Sequence, residues 1–308
     1  MNSKRNELMT RTVGIGAPVA ALTAAVCLTL AFFLDFDKGI GYFASASILP
    51  RIAVCIFGAF VLLIAADAIF FLKAEDVSRT DVPRIGVRIA AGLAAASFLF
   101  FGFTAAGLAS ESEAGFYRVL LILAVIFSLP SAEYLLTVLL AKTGTIRQVC
   151  SLFVPLFGAA LLGMLYFDYF TPINGPVKLP LQIALVAFLF AVLYEIRLLI
   201  GKGYARPRAA FALSLICGML CVGVSVPVLA ATFAGILTFS VYTTCAALLL
   251  CFGIYQFSRS LSLLIPDRTC TDAVPCGEVP DRRQTEPFPD ADLPGASDSN
   301  DHSKDENE

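Results

Sequence analysis

The chain has 308 residues, 58% of them hydrophobic and 15% charged, with a mean hydropathy of +0.80. An ordinary globular domain carries roughly 25% charged residues, and water cannot solvate this much apolar surface, so a soluble globular protein is excluded and a lipid bilayer is the expected partner. The formal charge of −2 is an average over two unlike parts.

Eight apolar runs are long enough to span a bilayer: roughly 13–34, 50–72, 86–108, 116–141, 149–169, 180–200, 209–233 and 237–264. Each approaches the ~20 residues that a ~30 Å hydrocarbon core demands at 1.5 Å per residue. The expected fold is therefore all-α, a polytopic transmembrane helical bundle of eight spans. Three domains follow: an N-terminal segment 1–12, the bundle 13–265 and a tail 266–308.

The first run follows the basic segment MNSKRNELMTR. Its apolar part is longer than the 7–15 residues of a secretory signal core, so an uncleaved span is expected. The link DFDKGIGYF (35–43), with Asp35, Asp37 and Lys38, is the longest outer loop. The second run carries Asp67 in IAADAIFF, and the fourth carries Glu133 and Tyr134 in PSAEYLL. Kinks are expected at Pro130, Pro155 and Pro227. Between runs five and six, DYFTPINGPVKLP holds Asp168, Asn174, Gly175 and Lys178 in a link rich in turn residues. Runs seven and eight meet near AGILTF, so a seven-span count is the alternative.

The sixth run, LPLQIALVAFLFAVLYEIRLLIG, contains both Glu195 and Arg197. Thirteen Leu, Ile, Phe and Val residues between 181 and 200 contribute about −4 to −8 kcal/mol to insertion. Two charges cost about +5 to +7 kcal/mol at the bilayer centre and less toward an end. Glu195 and Arg197 lie about 200° apart on a helix, so they cannot pair with each other. Arg197 can snorkel to the headgroups, whereas Glu195 needs a partner on another helix or a proton. The eighth run offers Tyr255, Gln256 and Arg259 in GIYQFSRS.

Lys and Arg alternate between the two sides. With the N-terminus inside, fifteen fall on the inner side, among them Lys4, Arg5, Arg11, Lys73, Arg79, Arg84, Arg88, Lys142, Arg147, Lys202, Arg206, Arg208 and Arg268. Only Lys38, Arg51, Arg118 and Lys178 fall outside. The bias places both termini in the cytoplasm. The tail carries twelve acids, four bases and six prolines, which leaves the bundle at +6. That tail is expected to be disordered and to be solvated or to dock a protein partner. The positive bundle suits an anionic inner leaflet.

On this topology Asp67, Glu133, Tyr134, Glu195, Arg197, Gln256 and Arg259 form a candidate intramembrane polar cluster. All lie in the cytoplasmic half of helices running from outside to inside. Two readings stay open. The acids are interhelical fasteners, worth about 0.5–2 kcal/mol each, or they line a cavity that binds a cation, a proton or a polar solute.

Little other chemistry fits. The single histidine, His302, is in the tail, which excludes H-E-x-x-H zinc proteases and histidine-based triads in the bundle. Nucleotide-binding and hydrolase motifs are absent. Of nine cysteines, seven lie in or beside apolar runs and two, Cys270 and Cys276, in the tail. Cys217 and Cys221, one turn apart, are read as packing residues rather than metal ligands. No enzyme activity, cofactor, metal or nucleic acid is expected.

The stretch TPINGPVKLPLQIALVAFLFAVLYEIRLLIG resembles a pattern in uncharacterised multi-span membrane proteins of anaerobic Gram-positive bacteria. The resemblance covers about a tenth of the chain and implies a bacterial plasma membrane, with no activity attached. The expected function is that of a carrier for a small solute or ion, secondary because no nucleotide site exists. The alternative is a sensor or scaffold acting through the inner loops and tail.

Overall fold

The computed structural model describes residues 2–72, 84–111, 115–142, 144–168, 171, 175–200 and 207–264. The tail expected at 266–308 lies outside these residues, as do Lys73, Arg79, Asn174, Lys202, Arg206 and Arg268. The side chains of Lys4 and Arg5 are also outside.

The helices are α1 (Asn2–Leu34), α2 (Leu49–Ala66), α3 (Ile85–Glu111), α4 (Phe116–Leu139), α5 (Thr145–Ser151), α6 (Phe153–Phe167), α7 (Lys178–Ile200), α8 (Pro207–Phe233) and α9 (Val241–Leu264). α1 begins at Asn2, so the basic N-terminal segment is helical and continuous with the first span. α5 runs into α6 with one break at Leu152. Counting that pair once, eight helices are long and apolar enough to cross a membrane. Their ends fall within four residues of the hydropathy boundaries.

Prolines are accommodated in two ways. The break at Leu152 places Pro155 in the first turn of α6, where its missing N–H has no intrahelical partner to lose. Helix continues through Pro130 and Pro227, and also through Pro18, which the hydropathy reading passed over.

The close approach of runs seven and eight is a true turn. α8 ends with the Gly235 N–H bonded to the Thr232 carbonyl at 3.0 Å and the Ile236 N–H bonded to the Ala231 carbonyl at 2.9 Å. That is a Schellman cap, and it needs the left-handed conformation that Gly235 adopts at φ +69°.

Two features were not foreseen. The link after α1 is a small antiparallel hairpin, β1 (Phe36–Asp37) paired with β2 (Tyr42–Phe43). It turns through an Asp37 carboxylate that accepts the Gly39 N–H at 2.8 Å, and Phe36 and Phe43 pack on Phe32. The second feature is a π-helical turn, Asp67–Phe71, at the end of α2, where the Leu72 N–H reaches the Asp67 carbonyl at 2.9 Å.

Links gather at opposite ends of the bundle. At one end, Lys38 donates to the Gly235 carbonyl at 3.1 Å, Tyr242 donates to Asp168, and Phe116 packs edge-on against Phe167. These contacts join the α1–α2, α3–α4, α6–α7 and α8–α9 links, and this is the hairpin end. The Lys178 ammonium is buried there and donates to the Asp168 and Thr171 carbonyls at 2.5 and 3.0 Å. At the opposite end, Arg88 of α3 donates to the Leu139 carbonyl of α4 at 2.7 Å.

Two apolar cores share α8. The larger joins α3, α4, α6, α7, α8 and α9, around Phe98, Phe157, Phe188 and Phe252. The smaller joins α1 and α2 to α8 through Ala17, Ala21, Ile64, Phe211 and Met219. Small residues bring the helices close. A Cβ on Gly158 would meet Phe188 at 2.7 Å, and one on Gly223 would meet Phe57 at 2.5 Å. The exterior is apolar: Phe70, Phe103 and Phe233 are 75%, 81% and 87% exposed.

Candidate functional site

Glu195 of α7 is the centre of the buried polar chemistry, at 3% exposure. One carboxylate oxygen, Oε1, accepts from the Tyr134 hydroxyl at 2.5 Å and from the Tyr255 hydroxyl at 2.6 Å. The other, Oε2, accepts from the Gln256 amide at 3.1 Å and forms an ion pair with Arg259. Three helices thus converge on one carboxylate: α4 supplies Tyr134, α7 supplies Glu195, and α9 supplies Tyr255, Gln256 and Arg259.

Helical spacing explains the set from α9. Tyr255 and Arg259 are one turn apart and share a face, and Gln256 is 100° away on the edge of that face. Three hydrogen-bond donors and one cation point at the two oxygens of Glu195, the surroundings that a buried carboxylate requires. The Gln256 Oε1 atom, turned away from the carboxylate, is buried without a hydrogen-bond partner. Side chains fill the space around the carboxylate; Tyr134 is 2% exposed and Gln256 fully buried. The locus is closed.

No protein-family model matches the chain, no curated protein matches its sequence, and no solved structure matches its fold. The meaning of the site therefore rests on its own geometry.

Of the seven residues in the expected cluster, Tyr134, Glu195, Gln256 and Arg259 come together, and three do not. Glu133 is exposed. Adjacent residues on a helix point about 100° apart, and Tyr134 takes the inward position, so Glu133 faces out. Arg197 is also exposed, with its guanidinium 5.0 Å from the centre of the Tyr194 ring. The 200° offset that forbids its pairing with Glu195 is the same offset that turns it outward.

Asp67 is buried at 2% exposure but lies in the smaller core. Its Oδ1 accepts from the Thr10 hydroxyl of α1 at 3.2 Å, and its Oδ2 has no hydrogen-bond partner. The expectation that three acids meet at one level is corrected: one acid meets two tyrosines, a glutamine and an arginine. Thr10 was missed because nothing local marks a partner 57 residues away.

Cys217 and Cys221 are buried with their sulfurs 3.7 Å apart. Among the described residues, no three His, Cys, Asp or Glu side chains are grouped so as to hold a metal ion.

Proposed function

We propose that this chain is a multi-pass, non-enzymatic protein of a bacterial plasma membrane, with both termini cytoplasmic, and that it carries a small solute or ion down or against a gradient. The apolar exterior and the inner-side excess of Lys and Arg support the membrane and the orientation. One observation carries the carrier reading: the Glu195–Arg259 ion pair, buried where α4, α7 and α9 meet.

An ion pair is a poor choice for fastening alone. Desolvating two charges offsets most of their attraction, and packed apolar residues would hold the helices as well. An ionisable pair within a span does what apolar packing cannot: it changes state when a proton or another ion arrives. On the proposed topology the pair lies toward the cytoplasmic end and ties α7 to α9, so it serves as a latch on the inner side. Protonation of Glu195, or exchange of its carboxylate for another anion at Arg259, releases the latch. A gradient-driven carrier needs such alternate opening and closing.

Reconstitution tests this. The purified chain in lipid vesicles, with a pH-sensitive dye inside or radioactive sodium outside, should take up protons or sodium faster than empty vesicles under an imposed potential. Glu195→Gln, at equal reconstituted amount, should fall to the empty-vesicle rate. Wild-type uptake no faster than that of empty vesicles, or full uptake by the variant, would leave the cluster as a fastener only.

A further inference from the structure

Asp67 is the second buried carboxylate, and the Glu195 cluster does not use it. It is 2% exposed, and Thr10, which faces it from α1, is 4% exposed. The Thr10 hydroxyl, 3.2 Å from Oδ1, is the one partner of the carboxylate, and Oδ2 is buried with none. The π-helical turn that begins at Asp67 packs against α1 and α8. Arg11 and Arg208 on those two helices are exposed, and among the described residues no Lys or Arg forms an ion pair with Asp67.

A carboxylate oxygen buried without a donor forfeits its hydration, and the lack of a counter-charge is costlier still. The surroundings favour one kind of partner. Leu72, with an extended backbone at ψ 124°, stops the helix, so Asp67 sits about one turn from a helix C-terminus. Carbonyls of a last turn have no intrahelical donors, and they form the negative end of the helix dipole. Carboxylate, hydroxyl and helix-terminal carbonyl oxygens are ligands for hard cations. One carboxylate balances a single positive charge, and a divalent ion would leave an excess charge in the smaller core.

We propose that Asp67 and Thr10 form a binding site for one monovalent metal cation, sodium or potassium, where the end of α2 meets α1. The ion sits against the open Oδ2 oxygen, with the Thr10 hydroxyl turning its lone pairs toward it. The site is separate from the Glu195 latch. It deepens the carrier reading by naming the ion whose gradient drives transport, and it rests on that reading only for transport, not for binding.

Equilibrium binding on the full chain, purified in detergent in choline chloride, tests the site without transport. The probes are radioactive sodium and radioactive rubidium, the latter standing for potassium. One of the two should bind saturably at one ion per chain, displaced by its unlabelled ion and not by choline. Asp67→Asn, which removes the charge at nearly constant size, should weaken that binding roughly tenfold or more, as loss of a charge-assisted contact does. Thr10→Val should weaken it several-fold and Thr10→Ser should preserve it. Glu133→Gln, at an exposed position, should leave it unchanged. The bound ion should also raise the thermal unfolding midpoint of wild type over choline, and not that of Asp67→Asn, which shows that the variant folds.

Saturable binding of neither ion, binding unaltered in Asp67→Asn, or full displacement by choline overturns the proposal. Saturable binding without uptake into vesicles would sink the carrier reading and leave this site standing. Proton uptake by a chain that binds neither ion would do the reverse.

Discussion

Glu195→Ala leaves the Arg259 guanidinium without its counter-charge and two tyrosine hydroxyls without their acceptor. Deleting one partner of a buried pair costs about 3–5 kcal/mol, so that loss is expected in denaturant unfolding of the purified chain in detergent. The double variant Glu195→Ala with Arg259→Ala should lose less than the sum of the two single changes, because the second deletion removes the stranded charge. Glu133→Gln should stay within about 0.5 kcal/mol of wild type, as exposed substitutions do. A loss at Glu133 comparable to that at Glu195 would contradict the outward direction of that side chain. At this scale the sequence is informative through angle. Glu133 beside Tyr134, and Glu195 two residues from Arg197, cannot both face one partner. Which member of each pair turns inward depends on what the facing helix presents, and α9 presents Tyr255, Gln256 and Arg259.

Among the elements, the end of α4 departs from its expected chemistry. The Lys142 N–H bonds to the Thr137 carbonyl at 2.9 Å and the Ala141 N–H to the Val138 carbonyl at 3.1 Å, the same cap that closes α8. Here the left-handed position belongs to Ala141, at φ +53°, not to a glycine. A Cβ in that conformation costs about 1 kcal/mol. Ala141→Gly should therefore raise stability by about that much in the same unfolding assay, and a loss would mean that the Ala141 methyl makes contacts worth more than its strain. The π-helical turn at Asp67 has no comparable signature in the residues themselves. One extra residue in the turn changes no composition, and its register is set by how Asp67 and Leu72 pack against α1 and α8.

For the whole molecule, the proposed topology places the hairpin end outside and the Glu195 end inside. A protease site inserted beside Lys38 should be cut from outside intact cells, and one beside Lys142 only after the membrane is opened. Green fluorescent protein fused after Glu308 should fluoresce. Cleavage at Lys142 in intact cells would invert the orientation and with it the inner latch. The two cores also predict a hierarchy within the bundle. α8 and α9 are 72% buried over their apolar windows and α2 only 17%, so α2 should exchange its backbone hydrogens first and α8 last.

The number and limits of the spans, and the alternation of basic links, were readable in one dimension, because transfer of apolar residues out of water is local and additive along the chain. Residues 181–200 announce a span whatever surrounds them. The residues of the polar cluster were legible as candidates for the same reason: a charge inside an apolar run stands out. Their grouping was not. It required knowing that α7, packed on α6 and α8, turns Glu195 toward α4 and α9 while α2 leans on α1 and α8, so that Glu195 meets Arg259 and Asp67 meets Thr10. Those choices follow from the close fit of Gly158 on Phe188 and Gly223 on Phe57, a matter of shape between distant segments that no single stretch of sequence contains.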